Sequence, residues 1–221
     1  MTKSMAEKRL YKPVAEFVKR EFNCFAVATT RGTQYGSIDV VGLRYVMGYY
    51  GGTAEVVAVE VKPERATVLK ALGQATAYSV MADRCYLALH RPYGRRIGQD
   101  LVDIAAQLNV GLIEIGKRKR CRVLVSSPKR EPIRSHKLAL VKALGYVECV
   151  ICGTLFEAKG MRSQRERSSI RNAIWEGKPF RYWLSDLAEQ RGAARRDYVY
   201  DRRLICADCV YAFSGLAPEQ G

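Results

Sequence analysis

The stretch Val56–Lys62 reads VVAVEVK. Its two alternating sets of side chains are both apolar as far as Val59, so as a strand it is buried on both faces. A sheet covered on each side by helices provides such a place, and a sheet with one face in water does not. At its end the pattern breaks with Glu60 and Lys62, which as residues i and i+2 point to one face. A buried carboxylate or ammonium without a partner is costly. The two charges therefore aim at one point where further polar groups meet them. Asp39, in GSIDVVGL, lies in the strand expected to pair nearby and supplies a second carboxylate. Two converging carboxylates suit a hard divalent cation such as magnesium, which binds through oxygen. A lysine beside them holds or activates a water, or steadies developing negative charge. Together these groups are the equipment of metal-assisted phosphodiester hydrolysis.

The surrounding sequence supplies the layers. Leu10, Val14, Phe17 and Val18 recur at helical spacing, Ser4 and Glu7 form a capping-box pattern, and Pro13 predicts a kink or a later start. CFAVATT and GSIDVVGLRYVMGYY read as strands, with Gly51 and Gly52 as the turn into AEVVAVEVK. The stretch 65–82 is an amphipathic helix, CYLALH a buried strand, 97–109 a helix and VGLIEIG a strand. This order is α/β in character.

The pattern Asp39…Glu60-Val61-Lys62 resembles the PD-(D/E)xK phosphodiesterases, the restriction-endonuclease-like superfamily. The likeness extends over about residues 5–116. It includes the opening helix AEKRLYKPVAEF, which offers Glu7 or Glu16, and the helix after the lysine, which carries Gln74 and Tyr78. Ser37 and Ile38 stand where the family's name places a proline before the aspartate. The resemblance implies a mixed central sheet flanked by helices. It implies that Asp39 and Glu60 hold magnesium or manganese, with the backbone carbonyl of Val61 as a further ligand. Lys62 would orient or deprotonate the attacking water, Glu7, preferred to Glu16, would assist, and Gln74 would support the site or contact substrate backbone.

Beyond Gly116 the composition shifts. Residues 1–116 carry fifteen Lys/Arg against eleven Asp/Glu, whereas residues 117–221 carry twenty-two against eleven. The net charge of +15 suits a polyanion, nucleic acid being the usual one. KRKRCRVLVSSPKREP is a basic strand running into a proline-containing linker, and 135–145 a helix. We place the domain boundary at 128/129, with a nuclease-like domain at 1–128 and a small basic α+β region at 129–221. In the latter, Cys149, Cys152, Cys206 and Cys209 form two C-x-x-C pairs. That ligand set suits a structural zinc site of the zinc-ribbon kind, although 53 residues separate the pairs. Free thiols, a redox pair or an iron–sulfur cluster are the alternatives. Between the pairs, Arg162, Arg165, Arg167 and Arg171 are candidate DNA contacts. Cys24, Cys85 and Cys121 read as buried thiols.

The expected function is a metal-dependent DNA endonuclease whose basic zinc module grips the substrate. DNA is the expected partner, with a homodimer or a larger nucleoprotein complex possible. Within the class, a Holliday-junction resolvase or repair exonuclease remains open. In a different class stands an inactive or partner-activated DNA-binding subunit of a repair, phage or transposition complex. No apolar run is long enough to span a bilayer and no signal peptide is evident, so the expected location is cytoplasmic, nucleoid-associated in a prokaryote.

Overall fold

The protein is described from a computed structural model, which covers residues 5–33, 36–48, 51–63, 67–91, 97–148 and 153–157. The chain divides into two compact units, Met1–Leu144 and Gly145–Gly221.

The first unit opens with helix α1 (Met5–Glu21), which buries Leu10, Tyr11, Val14, Phe17 and Val18 along one side. It runs through Pro13 without ending there. Proline removes the N–H that would bond the carbonyl four residues earlier, here that of Arg9. That carbonyl accepts a hydrogen bond from Lys119 Nζ at 3.3 Å. A distant lysine thus occupies an acceptor that the helix itself cannot fill.

Six strands follow in one sheet, ordered as in the sequence: β1 (Ala26–Thr33), β2 (Gly36–Gly48), β3 (Gly51–Lys62), β4 (Arg84–His90), β5 (Gly111–Ile115) and β6 (Cys121–Val125). β1, β2 and β3 are antiparallel neighbours, β3, β4 and β5 run parallel, and β6 returns antiparallel. Gly51 and Gly52 pair with Gly48 and Met47 inside the ladder, so the glycines extend β3 rather than form its turn. Helices α2 (Val68–Ala77) and α3 (Gln99–Gln107) make the crossovers that parallel strands require. Every interior residue of β4 and every residue of β5 is buried, as expected of strands covered on both faces.

Two cores flank the sheet. On one face α1 packs Leu10, Val14, Phe17 and Val18 over Val57, Val59, Val61, Ala88, Ile113 and Ile115. On the other, Ala71, Leu72, Ala75 and Ala105 of α2 and α3 pack over Leu87, Leu89 and Leu112. The architecture is α/β, a mixed six-stranded sheet between helices.

Residues 126–144 pass along the starting end of β4. Ser127 accepts Arg84 Nη1 through its carbonyl at 2.6 Å, and its hydroxyl accepts the Cys85 N–H at 3.0 Å. The Arg130 N–H donates to the Asp83 carbonyl, and the Ile133 N–H to that of Val80. On helix α4 (Arg134–Ala143), Lys137 sits 2.8 Å from Asp83 Oδ2 and also bonds the Ala54 carbonyl at 2.7 Å. These bonds tie 129–144 to the first unit, so the division falls after Leu144 rather than at 128/129. The shift reassigns the charge. Met1–Leu144 holds twenty-five Lys/Arg against twelve Asp/Glu, or +13, while Gly145–Gly221 holds twelve against ten.

In the second unit, β7 (Tyr146–Glu148) and β8 (Leu155–Glu157) form an antiparallel pair in which Glu148 faces Leu155. Among the described residues no helix is long and apolar enough to cross a membrane.

Candidate metal centre

β2 and β3 pair as far as Val40 and Val59. One step further that register sets Asp39 across from Glu60, with both side chains on the face away from α1. The backbone pairing stops there. The Val61 N–H, which would have met β2, donates instead to Asp39 Oδ2 at 2.8 Å. A residue's N–H and C=O point to the same side of a strand, so the Val61 carbonyl lies on this side too. Where the two strands cease to pair, the first turns of α1 reach the same point and bring Glu7 and Tyr11.

Glu7, Asp39 and Glu60 each present a carboxylate oxygen, and these oxygens lie within 4.8 Å of one another. All three residues are buried, Asp39 and Glu60 almost completely. Lys62 Nζ is 2.6 Å from Glu60 Oε1 and 3.4 Å from Glu7 Oε1. The Tyr11 hydroxyl is 2.8 Å from Asp39 Oδ1 and 3.2 Å from Glu7 Oε1. The Tyr78 hydroxyl donates to Glu60 Oε2 and lies 3.1 Å from the Ser37 carbonyl.

The electrostatics follow from this crowding. Two unit charges near 5 Å repel by roughly 3 kcal/mol at an effective dielectric of about 20, and three carboxylates make three such pairs. One ammonium does not offset them all. Glu60 shows the strain: burial, and then the neighbouring Asp39, raise its pKa, while Lys62 and Tyr78 pull it down in part. Burial works to lower the Lys62 pKa, but its bond to Glu60 and the surrounding carboxylates outweigh that, and the net shift is upward. Lys62 is therefore an ammonium at neutral pH. Burial and the adjacent carboxylates push both phenols up, so Tyr11 and Tyr78 remain protonated donors. An oxygen-rich, over-negative, buried cluster held in place by fixed donors fits a hard divalent cation.

Of the residues singled out in the sequence, Glu7, Asp39, Glu60, Val61 and Lys62 meet at this point. Glu16 is exposed on α1, away from it. Gln74 is exposed on α2, one turn before Tyr78, and Tyr78 rather than Gln74 contacts a cluster carboxylate. Tyr11 had no expected role. Its signal was its spacing, four residues after Glu7 and so on the same helix side. Cys149, Cys152, Cys206 and Cys209, and Arg162, Arg165, Arg167 and Arg171, lie outside the described residues. Cys24 and Cys85 are buried thiols as expected, and burial raises them to about 11 and about 12. Cys121 is half-buried, and burial likewise raises it to about 11.

No known family and no curated protein matches the chain. Among solved structures, it is similar to a Silicibacter pomeroyi protein of unknown function, at 17% identity and a TM-score of 0.45, over 65% of this chain and 86% of that one. A second is SfsA of Pyrococcus furiosus, solved in complex with Ca2+, at 12% identity and a TM-score of 0.29, over 54% of this chain and 64% of that one.

Proposed function

We propose that the first unit is a divalent-metal-dependent nuclease of the restriction-endonuclease-like kind, hydrolysing phosphodiester bonds in DNA. The observation that carries this reading is the meeting of Glu7, Asp39, Glu60 and Lys62 at the end of the buried strand β3. Asp39 and Glu60 would hold magnesium or manganese, with the Val61 carbonyl and Glu7 beside them. The bound cation supplies Lewis acidity, polarising a phosphoryl oxygen and offsetting the charge that develops in the displacement.

The chain's own groups do the rest. An ammonium carries three N–H donors, and in Lys62 two of them serve Glu60 and Glu7. The third is available to orient an attacking water or bind a phosphate oxygen. In the metal-free protein these carboxylates raise the Lys62 pKa, so there it is a donor and a positive charge. Tyr11 and Tyr78 fix the carboxylate rotamers, and the Val61 N–H fixes Asp39 against the strand. Preset dipoles of this kind need no reorganisation as charge develops. In the second unit, Cys149, Cys152, Cys206 and Cys209 would hold a structural zinc ion.

The test is cleavage of a labelled panel of duplex, single-stranded, flap and four-way-junction DNA with magnesium or manganese. Wild type is run beside Asp39→Ala and Lys62→Ala. Cutting by wild type that both variants lose upholds the reading. Equal behaviour of all three proteins refutes it.

A further inference from the structure

We propose that the loop Lys117–Arg120 between β5 and β6 is a binding site for the phosphodiester backbone of nucleic acid, beside the acidic cluster. The proposal rests on the nuclease reading for its geometry, but its test does not. Residues 117–144 hold ten of the first unit's basic residues against a single acid, Glu131. Several of the ten are spent on the fold. Arg122 pairs with Glu114, Lys129 with Glu55 and Lys137 with Asp83, and Arg130 bonds the Leu108 and Asn109 carbonyls. Lys117, Arg118, Lys119 and Arg120 instead form one contiguous run, all exposed.

Topology sets this run at the working end of the sheet. β3, β4 and β5 are parallel, so they end on the same side. Register puts Lys62 level with Leu89, and Leu89 level with Glu114. Ile115 and Gly116 follow, and then the basic loop. Glu114 is thus two strands across from Lys62, about 10 Å at the usual interstrand spacing, and the loop lies a few residues further along the same end. A backbone with one phosphate at the cluster would present another, a few nucleotides along the same strand, to the loop.

The loop is also built to stay in place. Arg118 and Lys119 both have left-handed backbone, with φ of 57° and 59°. Long side chains adopt that conformation at a cost. The Gly116 N–H donates to the Arg120 carbonyl at 2.8 Å and closes the turn. Lys119 reaches the Arg9 carbonyl that Pro13 leaves without its helical donor, two residues from Glu7. Lys119 is therefore the anchor, and Lys117, Arg118 and Arg120 are the grip. Exposed Lys8, Arg9 and Lys12 on α1 extend the same positive border.

The experiment compares full-length wild type with the triple variant Lys117→Gln, Arg118→Asn, Arg120→Gln, which keeps the Lys119 anchor and an Arg118 replacement that tolerates left-handed backbone. A second variant replaces Arg162, Arg165, Arg167 and Arg171 with alanine. Fluorescence anisotropy in EDTA follows binding to duplex DNA, single-stranded DNA and RNA of equal length between 50 and 300 mM salt. Magnesium binding is measured separately by calorimetry. The loop variant should lose about 2 to 3 from the slope of log affinity against log salt on duplex, and about 2 on single strands. Its affinity should fall at least tenfold at 100 mM salt, with magnesium binding unchanged. The arm with the largest loss identifies the nucleic acid. An unchanged slope in the loop variant, a loss confined to the C-terminal arginine variant, or no wild-type binding to any probe overturns the proposal. If the loop variant loses binding while Asp39→Ala and wild type are equally inert in cleavage, the nuclease reading fails and the binding site stands.

Discussion

Tyr11 and Tyr78 each carry one hydroxyl proton, and each places it on a carboxylate of the cluster. Groups that orient metal ligands change affinity without touching the metal. Tyr78→Phe should therefore weaken magnesium binding about 10- to 100-fold in calorimetry while leaving the near-UV circular dichroism unchanged. Glu60 sets a pH dependence at the same scale. Its folded-state pKa is raised. Its contribution to the stability of the metal-free protein is thus full below the unfolded carboxyl value and lost as pH rises through the folded one. A cation restores what ionisation costs. Magnesium should raise the melting temperature more at pH 8 than at pH 5, and Glu60→Gln should raise the metal-free melting temperature at pH 8 and remove most of the magnesium effect. Differential scanning fluorimetry checks both. Glu55 has the opposite sign. Burial works to raise its pKa, but Arg44 and Arg84 outweigh it and hold it low. Its contribution is present above the unfolded value and lost as pH falls through the folded one.

At the scale of elements, the site depends on how α1 seats on the sheet. Gly42 of β2 is the contact point. A Cβ there would lie 2.7 Å from Cys24 Sγ and 3.0 Å from Val18 Cγ1. Neither neighbour can withdraw easily, since both are buried against the same core. Gly42→Ala should cost about 1–3 kcal/mol in urea unfolding, the range for overpacking a filled core. It should also weaken magnesium binding, because lifting α1 moves Glu7 and Tyr11 away from Asp39. A variant that is destabilised but binds magnesium as wild type does would show that the helix seats independently of the site.

At the scale of the molecule, the first unit contains both cores, the acidic cluster and +13 of the +15 net charge. A fragment ending at Leu144 should unfold cooperatively in urea. It should also bind magnesium and retain most of the salt-dependent affinity for nucleic acid. A fragment ending at residue 128 should not fold stably. It cuts away Lys137, whose ammonium meets Asp83, and Ile133, whose N–H meets the Val80 carbonyl. Circular dichroism melts of the two fragments decide this.

The sequence alone determined what local pattern can encode. VVAVEVK carries its own burial on both faces, and a spacing of two carries Glu60 and Lys62 to one side, so the strand, the α/β class and part of the cluster were legible there. The helix spacing of four likewise linked Tyr11 to Glu7, although nothing local gave the tyrosine a partner. Tertiary structure alone decided the rest. Where β2 stops pairing with β3 is a matter of register and strand divergence, and it is this that turns Asp39 toward the Val61 N–H and admits α1. Which basic residues are consumed by the fold depends on buried acids far away in sequence, such as Glu55 and Asp83. A run of charge could therefore be counted from the sequence but not apportioned. Pro13 reads as a kink or a later start because the chain does not show that Lys119, 106 residues later, sits at the carbonyl it leaves bare.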